Sequence, residues 1–137
     1  MSILRALILL VLLACATAGC SMSADTTAAE VNVDKFHAML DAGQFTEIYA
    51  GSSAEMKKLS TEQATVTYLT SVHSQLGAYR SSKQQNWRVN YDTKGSFITL
   101  TYKTTYAAGD ADEQFIFLIQ AGTPALYGYK VSSPLLK

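Results

Sequence analysis

Beyond residue 20 the chain has no cysteine; its two are Cys15 and Cys20. Nothing from Ser21 to Lys137 can close a disulfide or offer a thiolate to a metal. A domain there has to rest on packed apolar side chains, which a segment of roughly 110 residues can supply. A basic excess is missing too: Lys+Arg and Asp+Glu stand at 11 each, and the longest basic run is Lys57-Lys58. A phosphate backbone finds no patch to hold it, which argues against nucleic acid as a partner. Catalytic signatures are also absent. There is no His-Glu-x-x-His, no glycine-rich phosphate loop, and no Gly-x-Ser-x-Gly elbow around Ser52, Ser53, Ser81 or Ser82. The sequence implies no cofactor and no metal.

The N-terminus carries the clearest signal. Met1 to Arg5 hold one positive charge, Ala6 to Ala14 are apolar, and the small residues Ala16-Thr17-Ala18-Gly19 lead to Cys20. A helix spanning a bilayer core needs about 20 apolar residues, so this run is too short to be an anchor and fits the apolar region of an export signal. Residues 1–19 are therefore expected to be a signal peptide. Thr17-Ala18-Gly19-Cys20 resembles a lipobox, the bacterial motif whose cysteine is acylated with palmitate-type chains and becomes the first mature residue. Ala18 and Gly19 fit it, whereas Thr17 stands where a large aliphatic residue is usual. Cys15, after Leu12-Leu13-Ala14, is a second candidate with a very short leader. Cleavage after Ala18, an Ala-x-Ala pattern, is the third route and would release a soluble periplasmic protein. Cys20 is the reading adopted, because a free thiol on a secreted tail is an oxidation liability. In such lipoproteins Asp after the cysteine favours inner-membrane retention. Ser21 there implies the outer membrane, with the domain facing the periplasm.

Residues 20–29 are small and polar, a flexible tether, and residues 30–137 are expected to form a single domain. A helix over Ala28–Ala42 puts Val33, Phe36 and Leu40 on one face, with Gly43 as its C-terminal cap. Phe45, Ile48 and Tyr49 suggest a short second turn of helix. Ser60-Thr61-Glu62-Gln63 reads as a capping box before a helix that places Tyr68, Leu69, Val72 and Leu76 together and stops at Gly77.

From Trp87 the period changes to two. Trp87, Val89 and Tyr91 alternate with polar residues, as do Ile98, Leu100, Tyr102 and Thr104, then Phe115, Phe117 and Ile119, then Tyr127, Tyr129 and Val131. Closing the first hairpin at Tyr91 opposite Ser96 sets Val89 against Ile98 and Trp87 against Leu100. Closing the second at Tyr106 opposite Glu113 sets Tyr102 against Phe117. Closing the third at Ile119 opposite Tyr127 sets Phe117 against Tyr129. All three collect the apolar set on one face. The fold class predicted is α+β, with N-terminal helices packed on one face of a four-stranded antiparallel meander.

That inward set is expected to hold no Asp, Glu or His, only the phenols of Tyr91, Tyr102, Tyr127 and Tyr129. A phenol of pKa about 10 is a donor at neutral pH, not a base. His37 and His73 read as surface or boundary residues. The domain is therefore not expected to be an enzyme. Two surfaces remain. Phe97, Ile116 and Leu118 interrupt the otherwise polar outer face and suggest a docking patch for an envelope protein or a second copy; scattered apolar residues on a partly covered sheet are the bland alternative. Tyr102, Tyr127 and Tyr129 suggest the lining of a small-molecule pocket between helices and sheet; ordinary core filling is the alternative there.

With these residues placed, residues 33–133 resemble the domain-of-unknown-function family four-thousand-nineteen. The resemblance rests on Asp41-Ala42-Gly43-Gln44-Phe45, Leu76-Gly77, Thr99-Leu100-Thr101-Tyr102, Glu113 and Gly128-Tyr129. Ala125-Leu126 departs from it where a Trp is expected. The layout also looks like the rolls of the cystatin and nuclear-transport-factor-two type, which host enzymes, binders and dimerisation modules alike. The resulting expectation is a membrane-anchored envelope protein with a non-enzymatic interaction domain. A small-molecule binder or cryptic enzyme is the alternative.

Overall fold

The computed structural model describes residues 24–137. The signal peptide, Cys15 and Cys20 lie outside the described residues. Helix α1 runs over residues 24–41, so residues 24–29, read above as tether, are already helical, and Ala29 is fully buried. The small side chains of this stretch, which looked like a linker, are good helix formers where alanine supplies them. Ala29, Val33, Phe36 and Leu40 recur at helical spacing and all face the core. The helix stops in a Schellman turn: Gly43 takes φ 69° and donates to the Leu40 carbonyl, and Gln44 donates to that of Met39.

Three further helices follow: α2 (Phe45–Ala50), α3 (Ala54–Leu59) and α4 (Glu62–Leu76). The cap of α4 falls one residue later than the capping box suggests. Thr61, not Ser60, accepts from the Ala64 N–H, while the Ser60 hydroxyl pairs with Thr65. Thr65, Leu69, Val72 and Leu76 are the buried face of α4; Tyr68 lies at its margin. No helix of the described residues is long and apolar enough to cross a membrane.

The sheet comprises β1 (Tyr79–Asp92), β2 (Gly95–Tyr106), β3 (Asp110–Gln120) and β4 (Thr123–Ser132), antiparallel in the order β1-β2-β3-β4. Fold class and meander order are as predicted. The first hairpin has the predicted register, Tyr91 opposite Ser96 and Trp87 opposite Leu100. β1 nonetheless starts at Tyr79, eight residues before the visible alternation, because register shifts between Tyr79 and Ser81 and between Gln84 and Asn86 break its period.

The second hairpin is displaced by four residues from the prediction. Tyr102 faces Glu113 and Leu100 faces Phe115, since the chain reverses at Ala107-Ala108, and Asp110–Asp112 belong to β3 rather than to a loop. The N–H groups of Ala107 and Ala108 donate to the carbonyls of Ala78 and Leu76, which ties this turn to the end of α4. In the third hairpin Phe115 faces Tyr129, whereas Phe117 faces Leu126, so a bulge at Tyr127 sends Leu126 inward.

Helices and inner sheet face share one core, from Phe36, Leu40, Leu69 and Leu76 to Leu100, Phe115, Phe117 and Leu126. The edge of β4 is partly covered, as Ser53 donates to the Leu126 carbonyl. At the β1–β2 turn, Gly95 has φ 143° and a Cβ there would lie 2.5 Å from the Ile119 carbonyl oxygen. At the β3–β4 turn, Gly122 has φ 74° and open space around it. Gly95→Ala is expected to cost about 2–3 kcal/mol in urea melts, through strain and the clash together, against about 1 kcal/mol for Gly122→Ala. Equal costs at the two sites would show that the approach of β3 to Gly95 is looser than this geometry.

Candidate functional site

The deepest polar feature is one that the sequence reading missed. Glu113 is 2% exposed and His37 is 1% exposed. His37 is therefore not a surface or boundary residue, and the interior does contain a carboxylate and an imidazole. His37 Nε2 donates to Glu113 Oε2 at 2.8 Å, and Thr104 Oγ1 donates to the same oxygen at 2.5 Å. Glu113 Oε1 accepts from the hydroxyls of Tyr106 at 2.5 Å and Tyr129 at 2.6 Å. Four donors thus fill both oxygens of one carboxylate.

Each member arrives by the local rules of its element. Thr104 and Tyr106 share the inward parity of Leu100 and Tyr102 on β2, and Glu113 that of Phe115 and Phe117 on β3. Tyr129 reaches across from β4, where it pairs with Phe115. His37 lies at the border of the apolar stripe of α1, beside Phe36, and its ring stacks on Tyr79 at 4.2 Å. Its Nδ1 has no partner among the described residues.

Burial alone would raise the pKa of Glu113, but the hydrogen bond and charge of His37, with the hydroxyls of Thr104 and Tyr106, outweigh it and hold the group below its ordinary value of 4.5. The phenols move the other way. Burial, then the Glu113 charge, pushes Tyr106 and Tyr129 upward. Tyr102, which hydrogen-bonds Gln84 on β1, is pushed up to about 12 by burial and by the nearby Glu30 and Asp34. At neutral pH these tyrosines are locked as donors.

Next to this hub is an apolar cleft of about 250 Å³ between α2–α4 and β4. Phe36, Ile48, Leu69 and Leu126 form its floor, and the exposed Leu59 and Tyr68 stand at its mouth. Tyr129 lines it as well, so Glu113 sits one hydroxyl behind the wall. Of the three tyrosines singled out from sequence, Tyr129 and Tyr127 border the cleft and Tyr102 does not. The bulge also lets Tyr127 pack edge-on against Phe97, at 5.0 Å, on the opposite sheet face.

Phe97, Ile116 and Leu118 do meet on that outer face, but they form a small cluster of their own. Leu118 is 1% exposed, and Ile116 lies over Gly128. His73 is half-buried, 3.8 Å from Asp41. No group of three or more His, Cys, Asp or Glu suited to a metal gathers among the described residues.

Fold and site together define an α+β domain with helices over an antiparallel sheet, a sealed carboxylate hub and an adjoining apolar cleft. The chain belongs to the family described as Protein of unknown function (DUF4019), whose pattern it matches over residues 32–129. That span holds His37, Thr104, Tyr106, Glu113 and Tyr129, the whole hub. A search of curated proteins found no match.

Replacing Glu113 by Gln leaves fewer acceptors for the same four donors and removes the charge that they solvate. The expected cost is about 2–4 kcal/mol at pH 7, read as a drop of roughly 10 °C in melting temperature. The sign with pH follows from the lowered pKa. The carboxylate's stabilisation is complete above the unfolded value near 4.5 and is lost as pH falls through the folded value below it. Melting curves of Glu113→Gln and the parent chain should therefore converge in acid. A gap that stays constant from pH 7 to pH 3 would mean that folding does not shift the Glu113 pKa, and one that widens in acid that Glu113 is buried uncharged.

Proposed function

We propose that this chain is a bacterial envelope lipoprotein, acylated at Cys20 and held at the periplasmic side of the outer membrane, whose domain is a non-catalytic interaction module. Its docking point in this reading is the cleft between α2–α4 and β4, rather than the outer sheet face. The observation that carries the reading is the pairing of an open apolar cleft with a polar wall already spent on internal bonds. Tyr129 is the group best placed to act on a bound molecule, and its hydroxyl is committed to Glu113. The carboxylate itself has all four lone-pair directions filled, so it offers no free acceptor to a bound molecule.

Size supports a protein partner over a free metabolite. At about 250 Å³ the cleft falls below the ~300–1,000 Å³ usual for small-molecule sites. It suits one or two apolar side chains inserted as an anchor, the arrangement that dominates binding energy in protein interfaces. The exposed Leu59 and Tyr68 extend this apolar surface beyond the mouth. The outer-face cluster is the weaker docking candidate, since Leu118 is already covered and Phe97 and Tyr127 cover each other.

Two measurements test the reading. Intact-mass analysis of the membrane-extracted protein is expected to give a chain starting at Cys20 and carrying acyl groups; an unmodified chain starting at Gly19 would remove the anchor. For the cleft, N-acetylphenylalaninamide serves as a side-chain surrogate in a chemical-shift titration. It should perturb the Ala64, Tyr68 and Leu126 resonances with a Kd in the millimolar range, as expected for so small a ligand (about 4 kcal/mol). Ala64→Trp, placed at the lining, should abolish those shifts while the fold persists. Shifts absent in the parent chain, or unchanged in the variant, would reject the cleft as the docking point.

A further inference from the structure

The two edges of the sheet differ in what covers them. On β4 the Ser53 N–H donates to the Leu126 carbonyl and Ser52 bridges the same residue, so part of that edge is already paired. β1 stands at the other end of the strand order and pairs with β2 alone among the described residues. Helix α1 packs over β3, through His37 on Glu113 and Phe36 on Phe115, and the second half of β1 is left exposed. There Trp87 is 51% exposed and Tyr91 64%, although both share the inward parity of Val89, opposite Leu100 and Ser96.

The strand register fixes which backbone groups point outward. The two-residue turn Thr93-Lys94 closes on Asp92 and Gly95, which makes those two a hydrogen-bonded pair. Bonded and non-bonded pairs alternate from there, so Asn90 and Arg88 exchange their bonds with β2. Trp87, Val89 and Tyr91 turn their N–H and C=O groups to the open edge instead. Three donors and three acceptors therefore stand in a row, with their side chains all on one face. The turn bounds this row on one side, and the register shift between Gln84 and Asn86 bounds it on the other.

We propose that this segment pairs antiparallel with the same segment of a second copy, about a two-fold axis at Val89. In that register all six outward groups find partners: Val89 faces its own counterpart, and each Trp87 faces the other copy's Tyr91. Centring on Arg88 would set two guanidinium groups face to face, and centring on Asn90 would leave Trp87 opposite the turn. With the axis at Val89, Arg88 lies beside the other copy's Asn90 and Asn86 beside its Asp92, so no like charges are directly opposed. The Trp87–Tyr91 pairs cover the aromatic surface that the helices leave open, in a trough between the two helical layers. Six hydrogen bonds at about one per 100–200 Å² correspond to roughly 600–1,200 Å² of buried surface, the low end for specific complexes. The dimer is accordingly reversible. It hides the sheet edge most open to uncontrolled strand addition, and it uses neither the α2–α4 cleft nor the acyl anchor.

Cysteine crosslinking of the full-length chain in isolated cell envelopes, with copper phenanthroline as oxidant, tests the register. Two Val89 Cα atoms would lie about 5.5 Å apart, within disulfide reach, whereas two Trp87 or two Tyr91 would be about 13 Å apart. Val89→Cys is expected to link to itself about tenfold more than Trp87→Cys or Tyr91→Cys does. The linked tryptic peptides, identified by mass, separate these bonds from any made through Cys15 or Cys20. Trp87→Cys and Tyr91→Cys chains expressed together should link to each other. Tyr91→Pro removes an N–H that β2 does not use, so it should abolish the link made by Val89→Cys while the melting temperature barely moves. Self-linking at all three positions alike overturns the pairing, as does a folded Val89→Cys chain that forms no link. A link from Val89→Cys to a different protein overturns it too, by showing that another strand takes the edge.

Discussion

Burying a carboxylate is the most expensive thing this fold does, and the rest of the structure is arranged around making it tolerable. A charge taken from water into an apolar interior costs several kcal/mol even after relaxation, unless donors replace its hydration shell. Glu113 gets those donors from three elements at once: His37 on α1, Thr104 and Tyr106 on β2, and Tyr129 on β4, with the carboxylate itself on β3. Such a hub acts as a key. If β3 slipped by two residues against β2, apolar parity would be kept, but Phe115 would stand where the donors converge. Hydrophobic patterning accepts such even-numbered slips; the hub does not. One polar cluster thereby fixes the stagger of three strands and the seat of one helix, which apolar packing alone leaves degenerate.

The same economy decides what the neighbouring cleft can do. Its apolar floor is formed by residues that also serve the core, Phe36, Leu69 and Leu126. Its buried polar groups are already bonded internally: the Thr65 hydroxyl donates to the Thr61 carbonyl, and the Tyr129 hydroxyl is held by Glu113 and has its pKa pushed upward. A site built for acid–base work needs a group whose proton is free to move near neutral pH. Here the network raises the phenols and lowers the acid, which drives both away from that range. What the cleft offers a visitor is shape and apolar surface.

The sequence held more of this than its patterning first yielded. Strand order, face assignment and the first hairpin's register could be read from Ile98, Leu100, Phe115 and Phe117, because a period of two is a robust signal. Glu113 was legible as well. It shares its parity with Phe115 and Phe117 under any even register, including the mistaken one, and only its apparent place at a loop edge hid it. Thr104 and Tyr106 carried the same parity on β2. His37, next to Phe36 and four residues after Val33, sat at the border of the apolar stripe, where a helical side chain can turn either way. Other features had no local signal. The bulge that sends Leu126 inward and Tyr127 outward depends on how β4 curves over β3. The Ala107-Ala108 reversal depends on carbonyls at Leu76 and Ala78, thirty residues upstream. The cleft depends on how α3, a helix of six residues without a fully buried side chain, seats over β4.

The hub also has a consequence at the opposite end of the molecule. A helix pinned at one point can still swing about it, but α1 is held twice near its C-terminus, by His37 on Glu113 and by Asp41 accepting the Tyr79 N–H. From there Val33 and Ala29 are packed into the core without exposed surface, so the helix cannot pivot without opening a cavity, and each methyl-sized void costs about 1 kcal/mol. The direction in which α1 emerges is therefore set some 20 Å away by the carboxylate.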